Sequence, residues 1–315
     1  MNHMQTILGA NGQIAEELAR ELKRNYTSDI RLVSRHPKKI NETDSLFPAN
    51  LLDKEKTDEA VKGSEIAYLT VGLPLETEIW KIQFPIIMQN VIDACKKHKT
   101  KLVFFDNTYM YPQNDKTLTE ESEFEPVGEK GKVRRRITEM LLSEMRSNQI
   151  EAVICRAPEF YGPGKTQGFT NTTIFGNIKK GKKPTVLLKD NTLRTLIWTP
   201  DASKATALIG NTPDAYHQTW HLPCDDNRQT YKQFMELVSL VYGQKFKYVV
   251  IPKFALKADA IIDKKIKEII ELLPRYECDN IFDSSKFKRR FPEFVVTTYK
   301  EGVEKIKEEL ETTNH

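Results

Sequence analysis

A glycine turn set between a strand and a helix near the start of the chain constrains its fold more than any other feature. Gln5 to Leu8 is a short apolar run, and Gly9-Ala10-Asn11-Gly12-Gln13-Ile14-Ala15 follows it with G-x-x-G-x-x-A spacing. From Gln13 to Lys23, Ile14, Leu18 and Leu22 recur every four residues and so share one helix face. Ile30 to Ser34 supplies the next strand and completes a βαβ unit. Glycine at such a turn permits positive φ and close backbone approach, while the free N–H groups and dipole of the helix start favour a pyrophosphate. In this context the spacing predicts a dinucleotide-binding turn rather than a structural bend. Gly9, Asn11, Gly12, Gln13 and Ile14 are the expected pyrophosphate contacts.

Further strands are expected near Ile66 to Thr70, Lys101 to Phe105 and Ala152 to Arg156, alternating with helical stretches at Ile79 to Lys97 and Gly128 to Met145. That alternation predicts an α/β fold: a Rossmann-type, doubly wound parallel sheet with a smaller C-terminal substrate lobe. Residues 1–165, with a return segment at about 195–225, are assigned to the dinucleotide domain. Residues 166–194 and 226–315 are assigned to the lobe, with a strand at Tyr248 to Ile251 and a charged, solvated helix over Lys300 to Glu311.

At 315 residues and 39% hydrophobic content the chain can bury a full core, which excludes disorder as the default. A net charge of +4 is too small for a dedicated nucleic-acid binder. The basic runs at 96–99, 134–136, 179–183 and 286–290 lack interleaved aromatics and read as solvated surface, so no nucleic-acid partner is expected. No stretch approaches the roughly 18 to 20 apolar residues of a membrane span, and Met1 leads directly into a strand, so a cytoplasmic protein without a membrane partner is expected. Cys95, Cys155, Cys224 and Cys278 stand far apart, which predicts reduced thiols and no metal site.

The second strand ends in Ser34-Arg35-His36, where an NAD-preferring protein often presents a carboxylate to the ribose. Arg35 could instead meet a 2′-phosphate with its planar donor fork, which favours NADP over NAD; the alternative is an exposed loop arginine. Leu69, Thr70, Val71 and Gly72, after the fourth strand, are expected to lie along the cofactor.

Several segments carry a resemblance: Gly9 to Ala15, Val103 to Tyr111, Gly131-Lys132-Val133-Arg134, Arg156-Ala157-Pro158-Glu159-Phe160-Tyr161-Gly162-Pro163-Gly164, and Trp220-His221-Leu222-Pro223. Together they resemble the NAD-dependent epimerase/dehydratase family, the extended or atypical short-chain dehydrogenases. The resemblance implies a Ser or Thr that polarises the substrate oxygen, a Tyr that exchanges its proton, and a Lys four residues later that holds the nicotinamide ribose. Lys132 matches the lysine, but Gly128 stands where the tyrosine would be.

Thr108 and Asn107 fall at or beside the Ser/Thr position, as catalytic and substrate-binding candidates respectively. Tyr111 is a candidate proton donor, and Tyr109 or Tyr161 could bring a hydroxyl from a neighbouring loop. Arg156 is carried over as a cofactor contact. By the same resemblance Arg194 meets a substrate diphosphate, with a structural salt bridge as the alternative. Asp201 is expected to cap the following helix, and His221 to be a packing histidine.

The leading function is an NAD(P)-dependent oxidoreductase or epimerase/dehydratase-like enzyme. It would act on a small oxygenated, phosphorylated or nucleotide-linked substrate, as a homodimer through the two long helices. The alternative is a non-catalytic NAD(P)-binding sensor or regulatory protein.

Overall fold

The computed structural model describes residues 3–164 and 166–313, so the domain boundary expected at Lys165 and the chain ends at Met1 and His315 lie outside the described residues. Seven strands form one sheet: β1 (Gln5–Leu8), β2 (Ile30–Ser34), β3 (Ser45–Pro48), β4 (Ile66–Leu69), β5 (Lys101–Asp106), β6 (Ala152–Arg156) and β7 (Thr219–His221). Their spatial order is β7-β6-β5-β4-β1-β2-β3, and every neighbouring pair is parallel. The chain winds outward in both directions from the β1/β4 boundary, the switch point at which doubly wound sheets open a crevice at their carboxyl edge.

Alternation along the strands sends successive side chains to opposite faces. Ile7, Tyr68, Val103 and Cys155 pack on one face, with α1 (Gln13–Asn25); Leu8, Leu69, Phe104 and Ile154 pack on the other, with α3 (Thr77–His98) and α4 (Gly128–Arg146). The first face also holds α5 (Thr199–Gly210), whose Ala202, Ala205 and Ile209 are buried beside α1. The second also receives α2 (Lys54–Val61). Three thiols, Cys95, Cys155 and Cys224, are buried and Cys278 is half-buried; all four are free.

Beyond Gly164 the chain builds short ladders and helices around a separate aromatic cluster that includes Tyr161, Trp198, Phe234, Tyr276 and Tyr299. The ladders pair Glu159–Tyr161 with Leu196–Trp198, Leu193–Arg194 with Gln229–Thr230, and Thr185–Leu187 with Val249–Ile251. The helices there are α6 (Tyr231–Tyr242), α7 (Lys253–Ile262), α8 (Lys264–Ile270) and α10 (Tyr299–Thr313), whereas α9 (Ser285–Arg290) buries Phe287 in the sheet-domain core beside Trp220. Among the described residues, no helix is long and apolar enough to cross a membrane.

Asp201 departs from the expected helix cap. Helix α5 begins at Thr199, with Trp198 at the N-cap and Pro200 in the first turn, where its missing N–H costs nothing. Asp201 therefore sits inside the helix, and its carboxylate accepts from the Thr297 N–H at 2.7 Å and the Thr297 hydroxyl at 3.1 Å. It ties the C-terminal segment to the sheet domain.

Gly131 sets how closely α4 approaches the segment after β5, because a Cβ there would lie 2.7 Å from the Tyr109 carbonyl oxygen. Gly131→Ala is expected to lower stability by about 1–3 kcal/mol through overpacking. At Gly72 a Cβ would meet nothing within 4 Å, so Gly72→Ala is expected to stay within about 0.5 kcal/mol; chemical denaturation of the two variants makes the comparison.

Candidate active site

The turn after β1 is held by its own backbone. Gly9 has φ +102°, and a Cβ there would lie 2.8 Å from the backbone N and Cα of Val71, so no other residue fits. The Gly9 and Ala10 N–H groups donate to the Val33 carbonyl at 2.9 and 3.0 Å, and the Gly12 N–H to the Gly9 carbonyl at 3.2 Å. Gly12 is the N-cap of α1 and offers no side-chain cap. The amides of Asn11, Gln13 and Ile14 consequently have no protein acceptor among the described residues. Gly9 and Gly12 shape the turn; Asn11, Gln13 and Ile14 leave donors open at a helix start.

Neighbouring groups frame these donors. Asn11 Nδ2 donates to the His36 carbonyl at 2.8 Å, which ties the turn to the end of β2. Gln13 Oε1 accepts the Gln167 N–H, so the segment after Gly164 leans over the turn. Leu69 closes β4, Thr70 donates its N–H to the Leu8 carbonyl at 2.9 Å, Val71 lies against Gly9, and Gly72 follows it with open space around its Cβ position. At the end of β2 the Ser34 hydroxyl is buried without a partner among the described residues. The adjoining Arg35 is exposed and makes no ion pair within the described residues.

At the end of β5 lies a buried charged network. Asp106 accepts from Arg134 Nε at 3.0 Å and from its Nη2, from the Thr138 hydroxyl at 2.9 Å, and from Arg156 Nη2 at 3.3 Å. Arg156 Nη1 also donates to the Tyr111 hydroxyl oxygen at 2.6 Å. The Tyr111 hydroxyl lies 2.8 Å from His221 Nε2, and His221 Nδ1 lies 2.8 Å from the Asp283 carbonyl. Burial, and then the Arg156 charge, pushes the His221 pKa well down, so the ring is neutral. The network assigns its proton to Nδ1, donating to Asp283, with Nε2 accepting from Tyr111. Burial raises the Tyr111 pKa against the opposing charge of Arg156.

This network spends several of the expected site residues on structure. Tyr111 is 0% exposed with its hydroxyl engaged on both sides, and Arg156 is sealed beside it. Tyr161 is equally buried: its ring packs against Trp198 and Phe234, and its hydroxyl donates to the Thr298 carbonyl at 3.4 Å. Arg194 pairs with Glu159 at 3.0 Å, donates to the Arg275 carbonyl and lies 4.4 Å above the Tyr276 ring. His221 is the packing histidine its surroundings suggested.

Two expected candidates keep free groups. Asn107 Oδ1 accepts the Tyr109 N–H at 2.9 Å, which leaves its Nδ2 without a protein partner among the described residues. The Thr108 hydroxyl likewise has none among the described residues, although the side chain is 4% exposed. Both sit directly after β5, at the carboxyl edge of the sheet.

At the head of α4, spacing points to Lys132, whereas the lysine that turns inward is Lys130. Lys132 faces outward, with its side chain 63% exposed and its ammonium 2.7 Å from Glu129. Lys130, two positions earlier, is fully buried. Its Nζ donates to the Thr77 hydroxyl and to Glu268 Oε2, both at 2.6 Å, and to Glu271 Oε1 at 2.7 Å. Gly128 has φ +80°, and a Cβ there would lie 2.9 Å from Glu271 Cβ and against its carboxylate. The side chain of Glu271 thus fills the space into which residue 128 would project. Sequence reasoning missed Lys130, Thr77, Glu268 and Glu271; the only signal was two carboxylates three residues apart on one face of a helical segment.

The comparisons agree with this architecture. Residues 6–221 match the NAD dependent epimerase/dehydratase family, and the chain belongs to that family. The UDP-glucuronic acid 4-epimerase of Bacillus cereus, solved in complex with NAD, superposes with a TM-score of 0.77 at 14% identity, covering 98% of this chain and 97% of that one. The UDP-glucose 4-epimerase of Thermotoga maritima, solved with UDP-glucose, gives 0.76 at 15% identity over 99% and 100% of the two chains. A curated relative, the uncharacterized protein y4nL of Sinorhizobium fredii, is 28% identical over 142 residues. That match spans 45% of this chain and 39% of the relative's length.

Asp106→Asn would leave two buried guanidinium groups without their counter-charge. A loss of about 3–5 kcal/mol in unfolding free energy is expected, readable by urea titration. Burial opposes ionisation of Glu268, but hydrogen bonds from Lys130 and Thr77 outweigh it and push the pKa down to about 2. A depressed carboxylate stabilises above its unfolded pKa and loses that contribution as pH falls through the folded one. The contact of α8 with α3 and α4 is therefore expected to loosen between roughly pH 4.5 and 2, seen as faster hydrogen exchange over 264–271 than over α1.

Proposed function

We propose that this protein binds a nicotinamide dinucleotide across the β1/β4 crevice and uses it on a small oxygenated, phosphorylated or nucleotide-linked substrate, as an oxidoreductase or epimerase. One observation carries this reading: three open amides at the uncapped start of α1, beside a glycine that only a backbone-close turn requires. The residues present fit the cofactor. Asn11, Gln13 and Ile14 would donate to the pyrophosphate, with Gly9 and Gly12 keeping its approach clear. Leu69 to Gly72 would run alongside it.

At the adenosine end, the partnerless Ser34 hydroxyl and the unpaired Arg35 suit a 2′-phosphate, which favours NADP over NAD. When bound, the dinucleotide supplies a hydride donor or acceptor. The Thr108 hydroxyl and Asn107 Nδ2 would hydrogen-bond the substrate oxygen. We assign the substrate side to the lobe at 166–194 and 226–315, and a homodimer through α3 and α4 belongs to the same proposal. UDP-sugars, the kind of ligand bound in the Thermotoga maritima UDP-glucose 4-epimerase structure, are the first substrate class to test.

A second reading, a dinucleotide sensor without turnover, is favoured by one specific observation: Glu271 occupies the place of a side chain at residue 128, and Lys132 faces solvent. Deuterium transfer from 4-labelled NADPH into a panel of carbonyl compounds, together with interconversion of UDP-sugar epimers in the presence of NADP+ or NAD+, separates the two. Either transfer or epimer interconversion supports the enzyme, and tight binding with neither supports the sensor.

Arg35→Ala is expected to weaken NADPH binding roughly tenfold to hundredfold, the worth of a charge-assisted bond, while NADH binding changes little. Equal losses for both dinucleotides by titration calorimetry would remove Arg35 from the 2′-phosphate. Lys132→Ala is expected to leave both affinities unchanged.

A further inference from the structure

Helix α7 carries a surface that the cofactor crevice does not use. Leu256 is buried and anchors the helix to the lobe. At about 100° per residue, Phe254, Ala258, Ile261 and Ile262 fall within an arc of about 100° on the opposite side. That stripe faces solvent: Phe254 is 76% exposed, Ile261 86% and Ile262 91%. Isolated exposed apolar residues need no explanation, but four aligned on one short helix mark an interaction site.

The charge around this stripe is one-sided. Seven lysines and two aspartates lie between Lys245 and Lys267, a net +5, whereas the whole chain carries only +4. The remaining residues therefore sum to a net charge of −1. Lys245, Lys247, Lys257, Lys265 and Lys267 are exposed and make no ion pair among the described residues. The parallel pairing of Thr185–Leu187 with Val249–Ile251 brings Lys182 and Lys183 to the same end of that ladder as Lys245 and Lys247. Asp263 accepts from the Lys265 N–H as the cap of α8, so part of the small negative charge is already engaged.

We propose that α7 seats the lobe on an anionic lipid surface, with Phe254, Ile261 and Ile262 entering the headgroup boundary and the surrounding lysines facing lipid phosphates and carboxylates. An interfacial helix needs no spanning segment, so this is compatible with the lack of one among the described residues. The stripe is too short to hold a membrane by burial alone, and a basic patch alone gives salt-labile attraction; together they supply the two signals that peripheral binding requires. Charge argues against a second copy of this chain as the occupant, because a two-fold contact would set lysines against lysines. The chain breaks out of the helix at Asp263, which is extended, and starts α8, whose Glu268, with the adjoining Glu271, holds Lys130. The inference does not depend on the proposed cofactor chemistry.

The test is co-sedimentation of the full chain with phosphatidylcholine vesicles, either pure or containing one-third phosphatidylserine. Binding to the anionic vesicles is expected, at least about tenfold stronger than to neutral ones and released by raised salt, because screening shortens the reach of the lysines. Combined substitution F254S, I261S and I262S, and separately K257E, K265E and K267E, should each abolish binding while the thermal midpoint stays that of the parent. The proposal is overturned if the anionic vesicles do not bind the protein, or if the triple serine variant binds them as well as the parent does. It is also overturned if light scattering shows a dimer that Ile261→Glu dissolves, which would assign the stripe to a second copy.

Discussion

The approach of Gly9 to the backbone of Val71 is the contact on which the candidate site depends. With a hypothetical Cβ only 2.8 Å from Val71 N and Cα, the turn after β1 can sit against the strand exit of β4 only because residue 9 has no side chain. That contact places the head of α1 at the switch point of the sheet. It also fixes which amides are used: those of Gly9 and Ala10 are committed to Val33, and those of Asn11, Gln13 and Ile14 point away from any protein acceptor among the described residues. A set of open donors at a helix start, the feature an anion would use, arises here from backbone geometry before any side chain contributes.

The carboxyl edge on the other side of the switch point is organised differently. Asp106, Arg134 and Arg156 form a buried charged group at the end of β5 and β6, extended through Tyr111 and His221 to the Asp283 carbonyl. A buried carboxylate held by two guanidinium groups is costly to break and gives the segment after β5 a single conformation. The free groups of Asn107 and Thr108 are thereby presented from a rigid base. At the head of α4, the C-terminal lobe reaches back through Glu268 and Glu271 to Lys130 and Thr77. Gly128 makes room for that contact, because a Cβ there would meet the Glu271 side chain.

Strands β1, β2, β4, β5 and β6 are legible in the sequence because each holds a short run of apolar, largely β-branched or aromatic residues, and α1, α3 and α4 because each shows a continuous apolar stripe. β3 escapes notice because it is an edge strand with three of its four residues exposed and a proline at its end. Helix α5 is legible only through Asp201 as an expected cap and not through periodicity, because it is buried over most of its surface, small-residue rich and without a polar stripe. β7 is only three residues long and joins the sheet through pairing with β6, far from it in sequence.

The sequence alone determined the dinucleotide turn, the doubly wound sheet and the family, because these follow from local spacing and from periodicities that any homologous backbone must satisfy. Only the tertiary structure decided which polar side chains remain free. Tyr111 is lost to His221, 110 residues away, Arg194 to Glu159, and the space beside Gly128 to Glu271. Lys130, rather than Lys132, turns inward because two glutamates from the far end of the chain meet it there. Burial and hydrogen-bond satisfaction are properties of such distant pairs, and no spacing within a motif encodes them.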